Sequence, residues 1–101
     1  MTITENFDIN TGDVLVEIHS TTCGVCRKMA PLVSKLVANH TNTRFVDLLT
    51  DDEDIGDDVV ALAEHFNVAT LPTFVHLIDG QVVGQTYGFK QLTQLEADLK
   101  L

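Results

Sequence analysis

The chain of 101 residues has no tryptophan, only two prolines and two cysteines, and six Lys and Arg against fifteen Asp and Glu. A formal net charge of -9 works against binding to nucleic acid or to an anionic membrane surface, so neither partner is expected. No apolar run is long enough to cross a bilayer. The opening Met1-Thr2-Ile3-Thr4-Glu5-Asn6-Phe7 has neither the basic start nor the apolar core of a secretory leader. Few cysteines and no leader point to a reducing interior, and the cytoplasm is the expected home. There a lone Cys-x-x-Cys is more often catalytic or metal-binding than a structural staple. Repeats, linkers and low-complexity segments are also missing. The chain is read as one domain over residues 1–101, a monomer with one core and one site.

What the chain does have is Thr21-Thr22-Cys23-Gly24-Val25-Cys26-Arg27-Lys28, which holds both cysteines with two residues between. If a helix starts at the pair, Cys23 lies at its first turn and Cys26 one turn further on the same face, within reach of a short disulfide. Cys23 then meets the positive end of the helix dipole and unpaired backbone N–H groups, which favour thiolate over thiol. Cys23 is therefore read as the nucleophile. Gly24 is read as permitting a tight turn, and Arg27 and Lys28 set two cations beside the pair. Ahead of the motif, Val14-Leu15-Val16-Glu17-Ile18-His19 reads as a buried strand. After it, Met29, Leu32, Val33, Leu36 and Val37 recur at helical spacing, with Pro31 inside the pattern where it is expected to bend the helix.

Glu17 is unusual inside an apolar strand. It is either at an edge and solvated, or buried with a raised pKa and a part in proton transfer. Residues before Gly12 suit a short edge strand or a covering loop. Asn39-His40-Thr41-Asn42 suits a turn, and Arg44-Phe45-Val46-Asp47-Leu48-Leu49 a second parallel strand. The acidic run from Asp51 to Asp54, with Asp57 and Asp58, precedes an apolar helical pattern and reads as a solvated cap, because it lacks the alternating ligands of a calcium loop. Phe74–Ile78 and Gln81–Tyr87 flank Asp79-Gly80 as a β-hairpin, and Leu92, Leu95, Ala97 and Leu99 form the stripe of a closing helix. Zinc would need ligands beyond the two cysteines. The candidates His19, His40, His65 and His76 are scattered without ligand spacing, so no metal is assigned. On sequence alone Pro72 reads as a strand-start proline.

The dithiol and the downstream segments resemble the thioredoxin family, small dithiol-disulfide oxidoreductases. The family carries Cys-Gly-Pro-Cys where this chain has Cys23-Gly24-Val25-Cys26, and a helix proline at the spacing of Pro31. Thr70-Leu71-Pro72-Thr73-Phe74 resembles the segment that holds the family's cis-proline. Asp79-Gly80 and Gly88 follow at the spacing of its hairpin turn and of the glycine after its last strand. The resemblance runs from about Val14 to the C-terminus. It implies an α/β thioredoxin-like fold, a central mixed sheet of four or five strands flanked by helices, with the first helix trimmed or absent.

The same resemblance implies site residues. Glu17 stands in the place of the family's buried aspartate and is the implied base for Cys26, while His19 and Thr22 stand where the family has tryptophans. A cis bond at Pro72 would turn the backbone of Thr70 and Leu71 toward the dithiol. With Gly24 and Val25 these residues form the expected groove for an extended substrate chain. The implied function is reduction of protein disulfides, Cys23 attacking and Cys26 resolving, with no bound cofactor. A partner reductase drawing on NADPH through a flavin would restore the dithiol. The alternative is a thioredoxin-like binding or redox-sensing module, since Val25 and the missing tryptophans depart from the family's pattern.

Overall fold

The computed structural model describes residues 3–101. A 3-10 turn, Ile3–Phe7, leads into strand β1 (Asp13–His19), helix α1 (Gly24–Asn39) and strand β2 (Arg44–Leu49). Helix α2 (Gly56–His65), the hairpin of β3 (Thr73–Ile78) and β4 (Gln81–Tyr87), and helix α3 (Leu92–Leu99) complete the chain. The sheet runs in the order β2-β1-β3-β4, with β1 parallel to β2 and antiparallel to β3. Of the four or five strands that the resemblance implies for the mixed sheet, four form among the described residues. Of the two readings for the leading segment, the covering one holds: no strand forms there among the described residues, and Ile9 is fully buried while Ile3 and Phe7 pack partly against the core.

β1 is a continuous apolar run because both of its faces are covered. Val14, Val16 and Ile18 pack with Ile9, Leu48, Val59, Leu62 and Phe66 on the α2 side. Leu15, and with it the face that carries Glu17 and His19, looks toward Met29, Val33 and Leu36 of α1 and Leu95 and Leu99 of α3. Full burial of one such side chain stabilises by about 1.5–3 kcal/mol, so the two layers hold β1 in a fixed register. In α3 the stripe is narrower than its sequence suggests: Leu95 and Leu99 are buried, whereas Ala97 is exposed because it falls on the outer side of the helix.

Two backbone features fix the ends of the sheet. Asp79 (φ 49°) and Gly80 (φ 82°) are both left-handed, as a two-residue hairpin turn requires, and the Asp79 carboxylate accepts the Gly12 N–H at 2.8 Å. At Gly84, a Cβ would lie 2.7 Å from the Asp98 carbonyl oxygen and the Leu99 Cα, so α3 rests directly on the backbone of β4. His76, facing the same helix, is 2% exposed. Its Nδ1 donates to the Leu99 carbonyl and its Nε2 lies 2.6 Å from Asp13 Oδ1.

Candidate active site

β1 ends at His19, and four residues later the chain enters α1 with Cys23 as the residue that caps it. The Cys23 backbone is extended (φ -86°, ψ 108°), and its Sγ accepts the Cys26 backbone N–H at 3.2 Å, the place a serine or aspartate oxygen takes in an ordinary cap. Cys23 and Cys26 are joined as a disulfide with their Cα atoms 5.2 Å apart. Cys23 is half-buried, whereas Cys26 is 5% exposed and sits among the core-facing residues of α1. Cys23 is thus the more exposed of the two residues. Gly24 corrects the sequence reading: it is an ordinary helical residue, and a Cβ added there would meet nothing within 4 Å, so no tight turn asks for glycine. Gly24 is exposed, next to an exposed Val25.

Glu17 is 5% exposed, which removes the solvated-edge reading. Loss of hydration raises its pKa from 4.5 to about 7; His19 works against that rise and Asp47 adds to it. Register explains the company. Glu17 lies opposite Asp47 on β2 and opposite Phe74 on β3, and His19 is two residues further along the same face. One polar atom each of Glu17, His19 and Asp47 lies within 4.8 Å of the others, and His19 Nε2 donates to Asp47 Oδ1. A hollow of about 250 Å³ opens beside this group, lined by His19, Ser20, Thr21, Cys26, Arg27 and Leu49.

Asp47 and Asp51 escaped the sequence reading. Asp51 opens the acidic run, but its carboxylate reaches back to the dithiol loop, accepting the Thr21 N–H at 3.1 Å and the Thr21 hydroxyl. These bonds hold its carboxyl below the usual range. Asp52 closes a turn just ahead of α2, accepting the N–H groups of Asp54 and Ile55, while the Ile55 cap of α2 has no side-chain bond. The acidic run is thus only partly a solvated face. The remaining histidines are engaged elsewhere: His40 with Glu96 at 2.7 Å, His65 edge-on to Phe66, His76 with Asp13 and Leu99.

Leu71–Pro72 is a cis peptide bond, and Pro72 is buried with its carbonyl accepting the Gly88 N–H at 2.9 Å. Because Ile18 pairs with Thr73, the segment before β3 and the loop after β1 leave the sheet at the same end. Thr70, Leu71 and Pro72 are therefore brought to the end of the molecule that carries Cys23, as α/β sheets with a functional rim arrange their loops. Thr70 is exposed and Leu71 half-buried, and among the described residues neither donates its backbone N–H. A second hollow, about 400 Å³, runs from Asn67, Val68 and Thr70 to Gln85 and Tyr87.

The thioredoxin family model matches residues 2–101. Thioredoxin Asp f 28 of Aspergillus fumigatus is 33% identical over 91 residues, covering 90% of this chain and 79% of that protein. Mitochondrial thioredoxin-3 of Saccharomyces cerevisiae is 33% identical over 87 residues, and the match spans 86% of this chain but 63% of the yeast protein. The crystal structure of that yeast thioredoxin in its oxidized form superimposes with a TM-score of 0.78 at 29% identity, over 97% of this chain and 88% of the other. A structure described as the basis of thiol resolving in yeast mitochondrial 1-Cys peroxiredoxin by the glutathione and thioredoxin systems gives 0.77 at 28% identity, over 99% and 88%. A family match that runs through both cysteines and Pro72, on a fold shared along nearly its whole length, makes this chain a member of the thioredoxin family and an oxidoreductase of protein disulfides.

Proposed function

We propose that Cys23 is the attacking thiolate and Cys26 the resolving thiol, with Glu17 as the base for Cys26. The observation that carries this is the unequal burial of the pair, Cys23 half-buried at the helix start and Cys26 5% exposed among the buried residues of α1, the helix packed on the β1 face of Leu15 and Glu17. In the reduced protein the Cys23 thiolate attacks one sulfur of a substrate disulfide and expels the other as a thiolate, leaving a mixed disulfide. Cys26 gives its proton to the Glu17 carboxylate and attacks Cys23 Sγ. The Cys23–Cys26 bond forms, the bond to the substrate breaks, and the second substrate thiolate leaves with the electron pair.

The substrate chain lies extended along Thr70 and Leu71, whose free backbone N–H groups offer the start of a strand pairing, with Pro72 behind them and Gly24 and Val25 as the facing wall. Protein disulfides are the substrates. The likeness to the yeast structure concerned with thiol resolving in 1-Cys peroxiredoxin supports peroxiredoxins as one class. A flavin-dependent reductase drawing on NADPH restores the dithiol, the protein works as a monomer, and the cytoplasm is the reducing interior in which this cycle runs. Insulin reduction driven by such a reductase tests the function, and trapping of substrate on the Cys26→Ser variant tests the roles. A covalent adduct through Cys23 is expected, and an adduct formed only by the Cys23→Ser variant would reverse the assignment.

A further inference from the structure

A buried carboxyl that must act as a base needs something to make its charge tolerable. Glu17 is 5% exposed and makes no hydrogen bond among the described residues, so its own surroundings supply little solvation. The positions where the family has tryptophans hold His19 and Thr22 here, and an indole carries no charge. His19 instead brings an imidazole within 4.8 Å of the Glu17 carboxylate, and Asp47 fixes the ring through Nε2. Exposure rises along the three groups, from buried Glu17 to a His19 side chain at 20% and an Asp47 side chain at 53%.

The other groups facing this cluster are few. From α1, Cys26 and the Arg27 cation line the shared hollow; from β3 the neighbour is Phe74; from the loop after β2, Asp51 acts electrostatically on His19.

We propose that His19, anchored by Asp47, is a positioning residue that supplies the countercharge for the buried Glu17 carboxylate and so sets how readily Glu17 takes the proton of Cys26. The inference rests on Glu17 being that base. His19 lies at short range from the ionised Glu17 in a poorly hydrated site, where its electrostatic pull counts for more than it does in water and works against the rise of the Glu17 pKa. Asp47 works in two ways. It orients the ring, and it competes with Glu17 for the same positive charge. Removing His19 therefore leaves Glu17 harder to ionise, whereas neutralising Asp47 removes a nearby negative charge that opposes that ionisation.

The test follows the resolving step as a function of pH. Reduced protein is mixed with dithiobis-nitrobenzoate; the first released chromophore reports attack by Cys23 and the second reports attack by Cys26. Wild type should show a second phase that accelerates through the ionisation of Glu17, about pH 7. His19→Gln should move that rise up by about one pH unit, making the second phase about tenfold slower below it, with the first phase little changed. Asp47→Asn, at an exposed position, should move it down. Glu17→Gln should flatten it. A Glu17→Gln variant with an unchanged profile defeats the base assignment itself. A flattened Glu17→Gln profile with His19→Gln and Asp47→Asn both at the wild-type position, or both moved the same way, overturns the countercharge role alone.

Discussion

The carboxylate of Asp51 accepts the backbone N–H of Thr21 at 3.1 Å and takes the hydroxyl of the same residue as well, so the turn after β2 holds the loop that delivers Cys23. The strands β1 and β2 run parallel, and their ends, with the Thr50 N–H donating to the His19 carbonyl at 2.8 Å, bring those two loops together. Gly56 completes the contact. A Cβ there would stand 2.7 Å from the Thr50 carbonyl oxygen, so α2 can start this close to the turn only without a side chain.

Replacing Asp51 with Ala should loosen the dithiol loop while leaving the sheet intact. Amide exchange at Thr21 is expected to quicken by about tenfold, with the β1 amides unchanged. The wild type should show the same loosening only in acid. The Asp51 carboxyl is held below its ordinary range, so its contribution is complete above the unfolded value, about 3.9, and is lost as pH falls through the lower folded one. Thr21 exchange that is insensitive to the substitution would show that the bond does not hold the loop.

Glu17 has the opposite sign. Its folded pKa of about 7 lies above its ordinary 4.5, so between these values the unfolded chain has lost the proton that the native state keeps, and stability falls as pH rises. The loss is on the order of 3 kcal/mol by pH 8, at about 1.4 kcal/mol for each pH unit between the two values. Glu17→Gln should therefore match the wild type near pH 4 and exceed it by most of that amount at pH 8. Urea unfolding at the two pH values measures the difference, and equal stability of the two proteins at pH 8 would contradict the burial cost.

His76→Ala removes a ring that satisfies the Leu99 carbonyl and packs 2% exposed between β3 and α3. The cost should be about 2–4 kcal/mol, combining a cavity with a buried acceptor left without its donor. Urea midpoints read it. A loss below about 0.5 kcal/mol would mean that the site refills or hydrates without strain.

The dithiol is expected to be more oxidising than a typical thioredoxin, whose potential is about -270 mV. Cys23 caps α1 with its sulfur already accepting the Cys26 N–H, Val25 replaces the motif's proline and is exposed, and no tryptophan covers the pair. Each favours the reduced thiolate over the disulfide. Cys23 should correspondingly ionise below an ordinary thiol, about 8.5, and below Cys26. Equilibration with a glutathione buffer at pH 7 and counting of the two forms by alkylation gives the potential. A value at or below about -270 mV would refute the expectation.

Much of this was legible in the chain because the signals were local. Two cysteines at fixed spacing, a β-branched run before them and Asp79-Gly80 between two alternating stretches each specify geometry within a few residues. Asp47 and Asp51 were not legible, because their roles depend on β2 lying parallel to β1 in one register, which no short stretch encodes. Read alone, Asp47 is a polar residue in a strand and Asp51 the start of an acidic run. Gly24 misled for the converse reason: glycine suggests a tight turn, yet the backbone there is already helical. The buried state of Glu17 was one of two open readings, and tertiary packing decided it, since only the cover given by α1 and α3 closes that face of β1.

With no strand formed ahead of β1, the outer edge of β2 pairs with no other strand among the described residues. An open edge of this kind is a template onto which a second copy could add its own strand. Arg44 and Asp47 are both exposed on β2, three residues apart and so on opposite faces, and Arg44 is further tied to the Asp8 carbonyl. Another chain docking there would have to strip water from a charge on each side of the ribbon. Arg44, bonded to the Asp8 carbonyl, and Asp47, bonded to His19, thus set one charge against such pairing on either face of that edge.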